Sequence, residues 1–132
     1  MKRVALDTSA YSFLMKGNTR VAQLLNDADE VIVPAVVIGE LLAGFKRGSA
    51  EQRNKDILNE FLAAPTVALC PLDDVTAELY AVILNYLRTQ GTPIPTNDIW
   101  IASCAMQYGL TLITGDRHFM SLPQVLCEFI VP

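Results

Sequence analysis

Apolar residues occur along this chain in short continuous runs, separated by longer segments in which they recur every three or four positions. The short runs occupy residues 4–6, 31–33, 66–69 and 111–114, with a weaker run at 127–131. Runs of this kind are typical of strands in a parallel sheet that helices cover on both faces. The pattern therefore predicts four buried strands and a final edge strand.

Segments with helical spacing lie between these strands, approximately over residues 9–15, 20–26, 34–46, 54–63, 74–90 and 97–108. Short side-chain oxygens accept the unpaired N–H groups at a helix start. The N-cap candidates are Thr8 or Ser9, Asp73 or Asp74, and Thr96 or Asn97. Pro34 suits the first turn of its helix, and Gly109 suits the end of the last one. The apolar side of helix 74–90 consists of Val75, Leu79, Val82, Ile83, Tyr86 and Leu87.

Strands that alternate with helices predict an α/β fold, here an α/β/α sandwich with a short central parallel sheet. A length of 132 residues corresponds to one domain, so we expect residues 1–132 to form a single domain. An apolar fraction of 52% and a mean hydropathy of +0.32 indicate a large core or a surface that a partner covers. We expect an apolar groove for a partner peptide or a second subunit, formed by Phe13, Leu14, Leu24 and Leu25.

Several observations predict a cytoplasmic protein without membrane contact. The apolar runs stay below the about 18 residues of a membrane span. Only three apolar residues separate the basic start of the chain from Asp7, which does not fit a signal peptide. Cys70, Cys104 and Cys127 are odd in number and lack C-x-x-C spacing. They therefore favour a reducing compartment over a disulfide framework or a zinc site.

Three aspartates occupy positions where α/β proteins place their chemistry. Asp7 and Asp116 follow predicted strands, and Asp98 lies in the first turn of a predicted helix. Each also has an ordinary structural explanation. Asp7 suits a helix cap, although Thr8 and Ser9 are available for that role; Asp98 favours the helix dipole, and Gly-Asp at 115–116 is common in turns.

Glu40 is harder to explain as a surface residue. Its helical neighbours at three and four positions are Val36, Val37, Ala43 and Gly44, and none of them is polar. A glutamate in apolar surroundings is costly unless it is paired or binds a metal ion. The small residues beside it leave room for an ion and a phosphate.

Together, the four acids predict a metal site at one edge of the sheet. Carboxylates that converge in one cleft repel each other unless cations lie between them. Oxygen ligands without histidine or cysteine favour Mg²⁺ or Mn²⁺ over zinc. Two such ions can activate a water and stabilise the leaving oxygen of a phosphodiester.

The net charge of −4 is compatible with a nucleic-acid substrate. Without the four site acids, the chain has as many acidic as basic residues. Basic residues near these acids in sequence are candidate phosphate contacts. They are Lys16, Lys46, Arg47 and Arg117.

With these residues identified, the chain resembles the PIN-domain ribonucleases, and among them the VapC-like toxins of toxin–antitoxin pairs. Residues 7–9 (DTS) resemble the family's opening D-[ST]-[SN], and residues 40–44 (ELLAG) resemble its E-L-x-x-G helix. Residues 97–102 (NDIWIA) are similar to N-D-x-x-I-A, and residues 114–119 (TGDRHF) to T-x-D-x-x-F. All four segments occur in the family's order along the whole chain.

The resemblance implies a PIN-like fold and a Mg²⁺- or Mn²⁺-dependent endoribonuclease that cleaves RNA as the toxin of a toxin–antitoxin pair. Its partners would be RNA, a cognate antitoxin and a second copy of the chain in a homodimer. The implied catalytic and metal-binding acids are Asp7, Glu40, Asp98 and Asp116, with Thr8, Thr114 and Asn97 as supporting residues.

Other functions remain open at this point. A metal-dependent phosphatase or DNA nuclease uses similar chemistry, but a phosphatase usually has a D-x-D pattern, and Asp7 is followed by Thr8 and Ser9. A PIN-like RNA-binding or scaffold domain would be expected to lack some of the acids. Three further residues are not assigned to the site: His118 is interpreted as a packing or loop contact, Cys104 as a packing residue, and Trp100 as part of the core or of a dimer surface.

Overall fold

A sheet of five parallel strands forms the centre of the computed structural model, which describes residues 2–132. The strands are β1 (Arg3–Leu6), β2 (Glu30–Pro34), β3 (Val67–Cys70), β4 (Thr111–Thr114) and β5 (Cys127–Phe129). The helices are α1 (Thr8–Met15), α2 (Thr19–Asp27), α3 (Ala35–Arg47), α4 (Glu51–Leu62), α5 (Asp74–Gln90) and α6 (Thr96–Tyr108), followed by a 3₁₀ helix, Arg117–Ser121. The predicted α/β/α sandwich and the edge strand β5 are confirmed.

The strand order β3-β2-β1-β4-β5 creates a natural site at the carboxyl ends of β1 and β4. The chain first adds β2 and β3 on one side of β1, and then adds β4 and β5 on the other. A crevice forms where the order reverses, because the two connections leave the sheet in opposite directions. Leu6 pairs with Ile113 in register, so the residues that follow these two strands meet at the crevice.

Helix α6 is held in the core by buried residues that begin at Ile99, and this fixes the position of its exposed first turn. Its buried residues are Ile99, Ile101, Ala102, Ser103, Cys104 and Ala105. The helix packs against α5, where the Tyr80 and Trp100 rings stack with centroids 4.1 Å apart. Gly109 ends it with a φ of 63°, a conformation that glycine adopts without strain. Cys104 packs in the core as predicted.

Two predicted helix caps are wrong. Asp7 caps α1, because its side chain accepts the Ala10 N–H, and Thr8 is already the first helical residue. Helix α6 follows Pro95 without a side-chain cap, and Thr96 begins the helix. In both cases the chain enters the helix one residue earlier than the prediction allowed. The predicted cap at Asp73 is confirmed, with a capping box to Thr76.

Smaller differences concern element boundaries and faces. Pro34 ends β2 and precedes α3 instead of lying in its first turn, and α4 begins at Glu51, before the predicted start. Val75 and Val82 are 50% and 57% exposed, so their assignment to the buried side of α5 is wrong. The buried side of α5 contains Ile83 and Leu87, which helical periodicity alone did not separate from their apolar neighbours.

The residues of the predicted apolar groove are partly buried against the core, and so contribute less open surface than expected. Larger exposed fractions belong to other apolar side chains, namely Met15, Leu69, Leu72, Val75, Val82, Met120, Leu126, Phe129 and Val131. Within residues 2–132, none of the helices combines the length and the apolar character that crossing a membrane requires.

A close contact beside the crevice gives a stability prediction. A Cβ added at Gly115 would lie 2.3 Å from Cε2 and 2.9 Å from Cζ of Phe13, so the ring would have to move. We expect Gly115→Ala to lower the free energy of unfolding by about 1–3 kcal/mol, the usual range for overpacking. Urea unfolding in metal-free buffer measures the change.

Gly39→Ala is the matched control, since among residues 2–132 no atom lies within 4 Å of the added Cβ, the backbone of its own helix aside. We expect it to stabilise the protein by about 0.5–1 kcal/mol, because alanine favours the interior of helix α3. Equal midpoints for Gly115→Ala and the parent would show that the ring of Phe13 yields at no cost.

Candidate active site

Asp7 is a buried carboxylate at the end of β1, with 3% of its surface exposed. Its Oδ1 accepts hydrogen bonds from the Ala10 N–H at 2.8 Å and from the Ser9 hydroxyl at 2.7 Å. Its Oδ2 accepts a short hydrogen bond from the Thr114 hydroxyl. Burial raises the pKa of Asp7 and these hydrogen bonds oppose the rise, but burial outweighs them.

The hydroxyls around Asp7 also hold the loop that follows β4. The Gly115 N–H donates to Ser9 Oγ at 2.9 Å, and the Asp116 N–H donates to Thr114 Oγ1 at 2.9 Å. Asp116 in turn caps the 3₁₀ helix by accepting the His118 N–H at 2.9 Å. The direction of the loop is therefore fixed from both sides, and Asp116 is placed at the crevice.

Asp98, Asp116 and His118 form a triangle of side chains of metal-ligating types, which we call the site triangle. Nδ1 of His118 lies 2.9 Å from Asp98 Oδ2 and 3.0 Å from Asp116 Oδ1. One ligand atom from each residue lies within 4.8 Å of the others. The side chains are 14%, 33% and 49% exposed in the order Asp98, Asp116, His118, so the triangle opens toward solvent.

The charges of the triangle influence each other. Burial raises the pKa of Asp98, and repulsion from Asp116 and Asp7 adds to the rise. The hydrogen bond to Asp98 raises the pKa of His118, and the charge of Asp116 contributes. The site thus holds the carboxyl groups of Asp98 and Asp116 beside one imidazole, with Asp7 near them, and a bound cation would offset the repulsion among the acids.

Glu40 approaches the site from α3. It is partly buried, and its Oε1 accepts a hydrogen bond from the Thr8 hydroxyl at 2.7 Å. Thr8 follows Asp7 directly, so this contact links α3 to the end of β1. Among the described residues, however, neither Glu40 nor Asp7 brings a ligand atom into the site triangle at its 4.8 Å spacing.

The donors around the crevice fit a hard divalent cation. Asp7, Asp98, Asp116 and Glu40 supply carboxylate oxygens, which suit Mg²⁺ and Mn²⁺, and His118 adds one imidazole nitrogen. Cys70 and Cys104 are buried in the core and Cys127 is partly buried on β5; among the described residues, no thiol belongs to the site triangle. The fit rests on the donor chemistry alone.

The remaining predicted residues lie on several different elements of the structure. Asn97 is exposed in the first turn of α6, and Arg117 is exposed in the 3₁₀ helix between Asp116 and His118. Lys46 is exposed and pairs with Glu51 at 2.9 Å. Arg47 ends α3, and Lys16 lines a groove of about 310 Å³ beside Phe13.

His118 is the site residue that the sequence interpretation missed. The sequence indicates only packing or a loop contact for it, because no nucleophile pattern accompanies it. The 3₁₀ helix changes this, since it turns the chain so tightly that Asp116 and His118, two residues apart, face the same point. The D-x-H spacing next to a site acid was the available signal.

The fold and the site together define a class of protein. Its members are α/β/α sandwiches that carry carboxylates at the carboxyl edge of a parallel sheet. The PIN domain family model matches residues 4–124, so the chain belongs to the PIN-domain family. The resemblance deduced from the four sequence segments is confirmed.

Relatives of known identity align over most of the chain. Ribonuclease VapC1 of Haemophilus influenzae is 34% identical, with 83% of each chain covered. Toxin FitB of Neisseria gonorrhoeae is 30% identical, covering 86% of this chain and 87% of its own. The DNA-bound VapBC of Salmonella typhimurium has a TM-score of 0.84 at 26% identity, with 98% of each chain covered.

The raised pKa of Asp98 predicts how Asp98→Asn changes stability. Ionised Asp98 destabilises the folded chain, a penalty that is absent below the ordinary aspartate pKa of 3.8 and fully present above the raised pKa of the folded state. In EDTA at about pH 7, the variant should therefore equal the parent or exceed it by at most about 1 kcal/mol, since the carboxyl is partly solvated. This advantage should shrink toward about pH 4, as melting curves will measure.

The exposed Asp56 on α4 provides the control, and Asp56→Asn should leave the melting temperature nearly unchanged over the same range. Adding Mg²⁺ should shift the order toward the parent, because a ligand stabilises only a site that binds it. A large loss of stability for Asp98→Asn in EDTA would identify Asp98 as a mainly structural residue.

Proposed function

We propose that this chain is a Mg²⁺- or Mn²⁺-dependent endoribonuclease that acts as the toxin of a toxin–antitoxin pair. Residues 1–132 act as one nuclease domain, because the elements that carry the four candidate acids all belong to one fold around a single five-stranded sheet. The observation that carries the proposal is the site triangle beside buried Asp7, where Asp98, Asp116 and His118 bring one ligand atom each within 4.8 Å of the others. Membership of the PIN-domain family and similarity to proteins named ribonuclease and toxin support it.

The acids would hold the ion, with Asp98 and Asp116 as direct ligands and with Asp7 and Glu40 completing the site. A bound divalent ion supplies activation of a water and charge stabilisation at the phosphodiester. Thr8 orients Glu40 through its 2.7 Å hydrogen bond, and Thr114 orients Asp7. These hydroxyls keep the carboxylates in place before RNA arrives, which lowers the reorganisation that the reaction requires.

Helix α6 contributes through the direction of its backbone. Asp98 lies in its first turn, where the unpaired N–H groups carry partial positive charge. The same N–H groups favour an anionic phosphate near the helix start. The site can therefore attract a phosphodiester while it holds carboxylates that would otherwise repel one.

Three partners follow from this function. RNA is the substrate, and a cognate antitoxin binds the protein in a manner comparable to the VapBC complex of Salmonella typhimurium. A second copy of the chain forms a homodimer. Exposed apolar side chains such as Leu126 (71%) and Val131 (77%) are suited to such contacts. The free thiols fit a cytoplasmic location.

Cleavage of RNA by the purified protein, free of antitoxin, tests the proposal. Structured and unstructured RNA are each assayed with Mg²⁺, with Mn²⁺ and with EDTA, and we expect cleavage to require the ion. Glu40→Gln and Asp98→Asn should each lower the rate by roughly 100-fold or more, as the loss of a metal contact does. Glu60→Gln, an exposed acid on α4, is the matched control and should cleave at the rate of the parent.

If the parent binds RNA but does not cleave it with either ion, the protein is an RNA-binding domain. If cleavage persists in EDTA, the acids are not metal ligands. Equal rates for the parent and Glu40→Gln would remove Glu40 from the site.

Arg117 is the basic residue most directly placed to meet a phosphate, since it lies between two residues of the site triangle. We expect Arg117→Ala to weaken RNA binding and to lower the slope of log K against log[salt] by about 1. Lys46→Ala is the comparison. Lys46 already pairs with Glu51, so its removal should change the slope less. Binding titrations over a salt series, with Ca²⁺ in place of Mg²⁺ to suppress cleavage, measure both.

A further inference from the structure

His118 brings an imidazole to a site whose other candidate ligands are carboxylate oxygens. Its Nδ1 faces both acids of the triangle, at 2.9 Å from Asp98 and 3.0 Å from Asp116. The backbone of His118 is fixed independently, because its N–H donates to Asp116 Oδ1. The orientation of the ring is thus set by the two carboxylates, and the ring remains about half exposed.

These distances are close to those between neighbouring ligands of a metal ion. Neighbouring ligands around an octahedral ion with bonds of about 2.1 Å are about 3.0 Å apart. Nδ1 is separated from each of the two carboxylate oxygens by nearly this distance. Nδ1 therefore already lies at the spacing of an adjacent ligand from an oxygen of Asp98 and from an oxygen of Asp116, and the ligand atoms of the three residues lie within 4.8 Å of one another.

We propose that His118 binds the divalent ion directly through Nδ1, together with Asp98 and Asp116, and that it shifts the preference of the site from Mg²⁺ toward Mn²⁺. This inference rests on the proposed function. It adds a nitrogen ligand to a set that the sequence predicted to contain oxygen alone. The physical reason is ligand chemistry, since imidazole suits transition metals, whereas Mg²⁺ prefers oxygen.

The same distances also fit a second role for His118, and this role predicts a different experimental result. In that role the imidazole is only a hydrogen-bonding partner of the acids, which leaves when an ion enters. Metal ligation requires a nitrogen–manganese bond, whereas a departing imidazole leaves none. A direct measurement of that bond therefore separates the two roles.

The experiment is pulsed electron paramagnetic resonance of untagged protein loaded with Mn²⁺, without RNA. His118 is the only histidine of the chain, so any imidazole ¹⁴N modulation of the Mn²⁺ signal originates from it. We expect the modulation in the parent and its loss in His118→Asn, which keeps a polar atom near the position of Nδ1. Titrations should show Mn²⁺ affinity falling about tenfold or more in the variant and Mg²⁺ affinity changing much less.

Met120→Ala is the matched control, because it shortens an exposed, uncharged side chain of the same short helix and leaves the ligands intact. It should retain the ¹⁴N modulation and the affinity for Mn²⁺. Far-ultraviolet circular dichroism should be the same for all three proteins, since the backbone hydrogen bond of residue 118 does not involve its side chain.

Mn²⁺ that binds to the parent without ¹⁴N modulation would overturn the assignment of His118 and leave the proposed nuclease function intact. Equal losses of Mn²⁺ and Mg²⁺ affinity in His118→Asn would overturn the metal preference. If the parent binds neither ion, both the inference and the metal dependence of the proposed function fail.

Discussion

The hydrogen bonds of the buried Asp7 carboxylate are the interaction on which the site depends. They join the end of β1 to the first turn of α1 through Ala10 and to the end of β4 through Thr114. The parallel pairing of β1 with β4 brings these groups together, and the same pairing creates the crevice. A carboxylate with 3% exposure is tolerated there only because three donors surround it. Loss of one donor would affect the strand ends, the helix start and the site together.

The general fold could be predicted from the sequence because its signals are local and repeated. Short apolar runs indicated the strands, and the run 111–114 coincides with β4 (Thr111–Thr114). The cap of α5 was narrowed to Asp73 or Asp74, and the structure has the first of these two. The two wrong caps have a different cause. Asp7 and Pro95 lie one residue before polar residues that would also serve as caps, and only the tertiary position of each helix decides between them.

The site was only partly predictable for a related reason. The acids could be identified from their positions in the sequence. The distances between them, however, depend on the strand order, which local periodicity does not determine. Asp116 and His118 meet at one point because the chain forms a 3₁₀ helix after β4, and the sequence there indicated only a turn. The same limit explains Val82 on α5: an apolar residue at helical spacing can face solvent when the neighbouring helix covers only a narrow strip.

The cluster of acids shows that the fold holds side chains in positions that do not favour its own stability. The first turn of α6 and the imidazole of His118 both offset the charge of Asp98, yet burial and two neighbouring acids still raise its pKa. The carboxylates cannot move apart to relieve this repulsion, because Asp7 is fixed between strands and Asp98 belongs to a helix held in the core. The folded chain therefore keeps several carboxylates together at one point of its surface, and a bound cation would stabilise this arrangement. A rigid sheet and a closely packed α6 are thus the conditions that allow a chain of net charge −4 to concentrate acids where an anionic substrate is expected to bind.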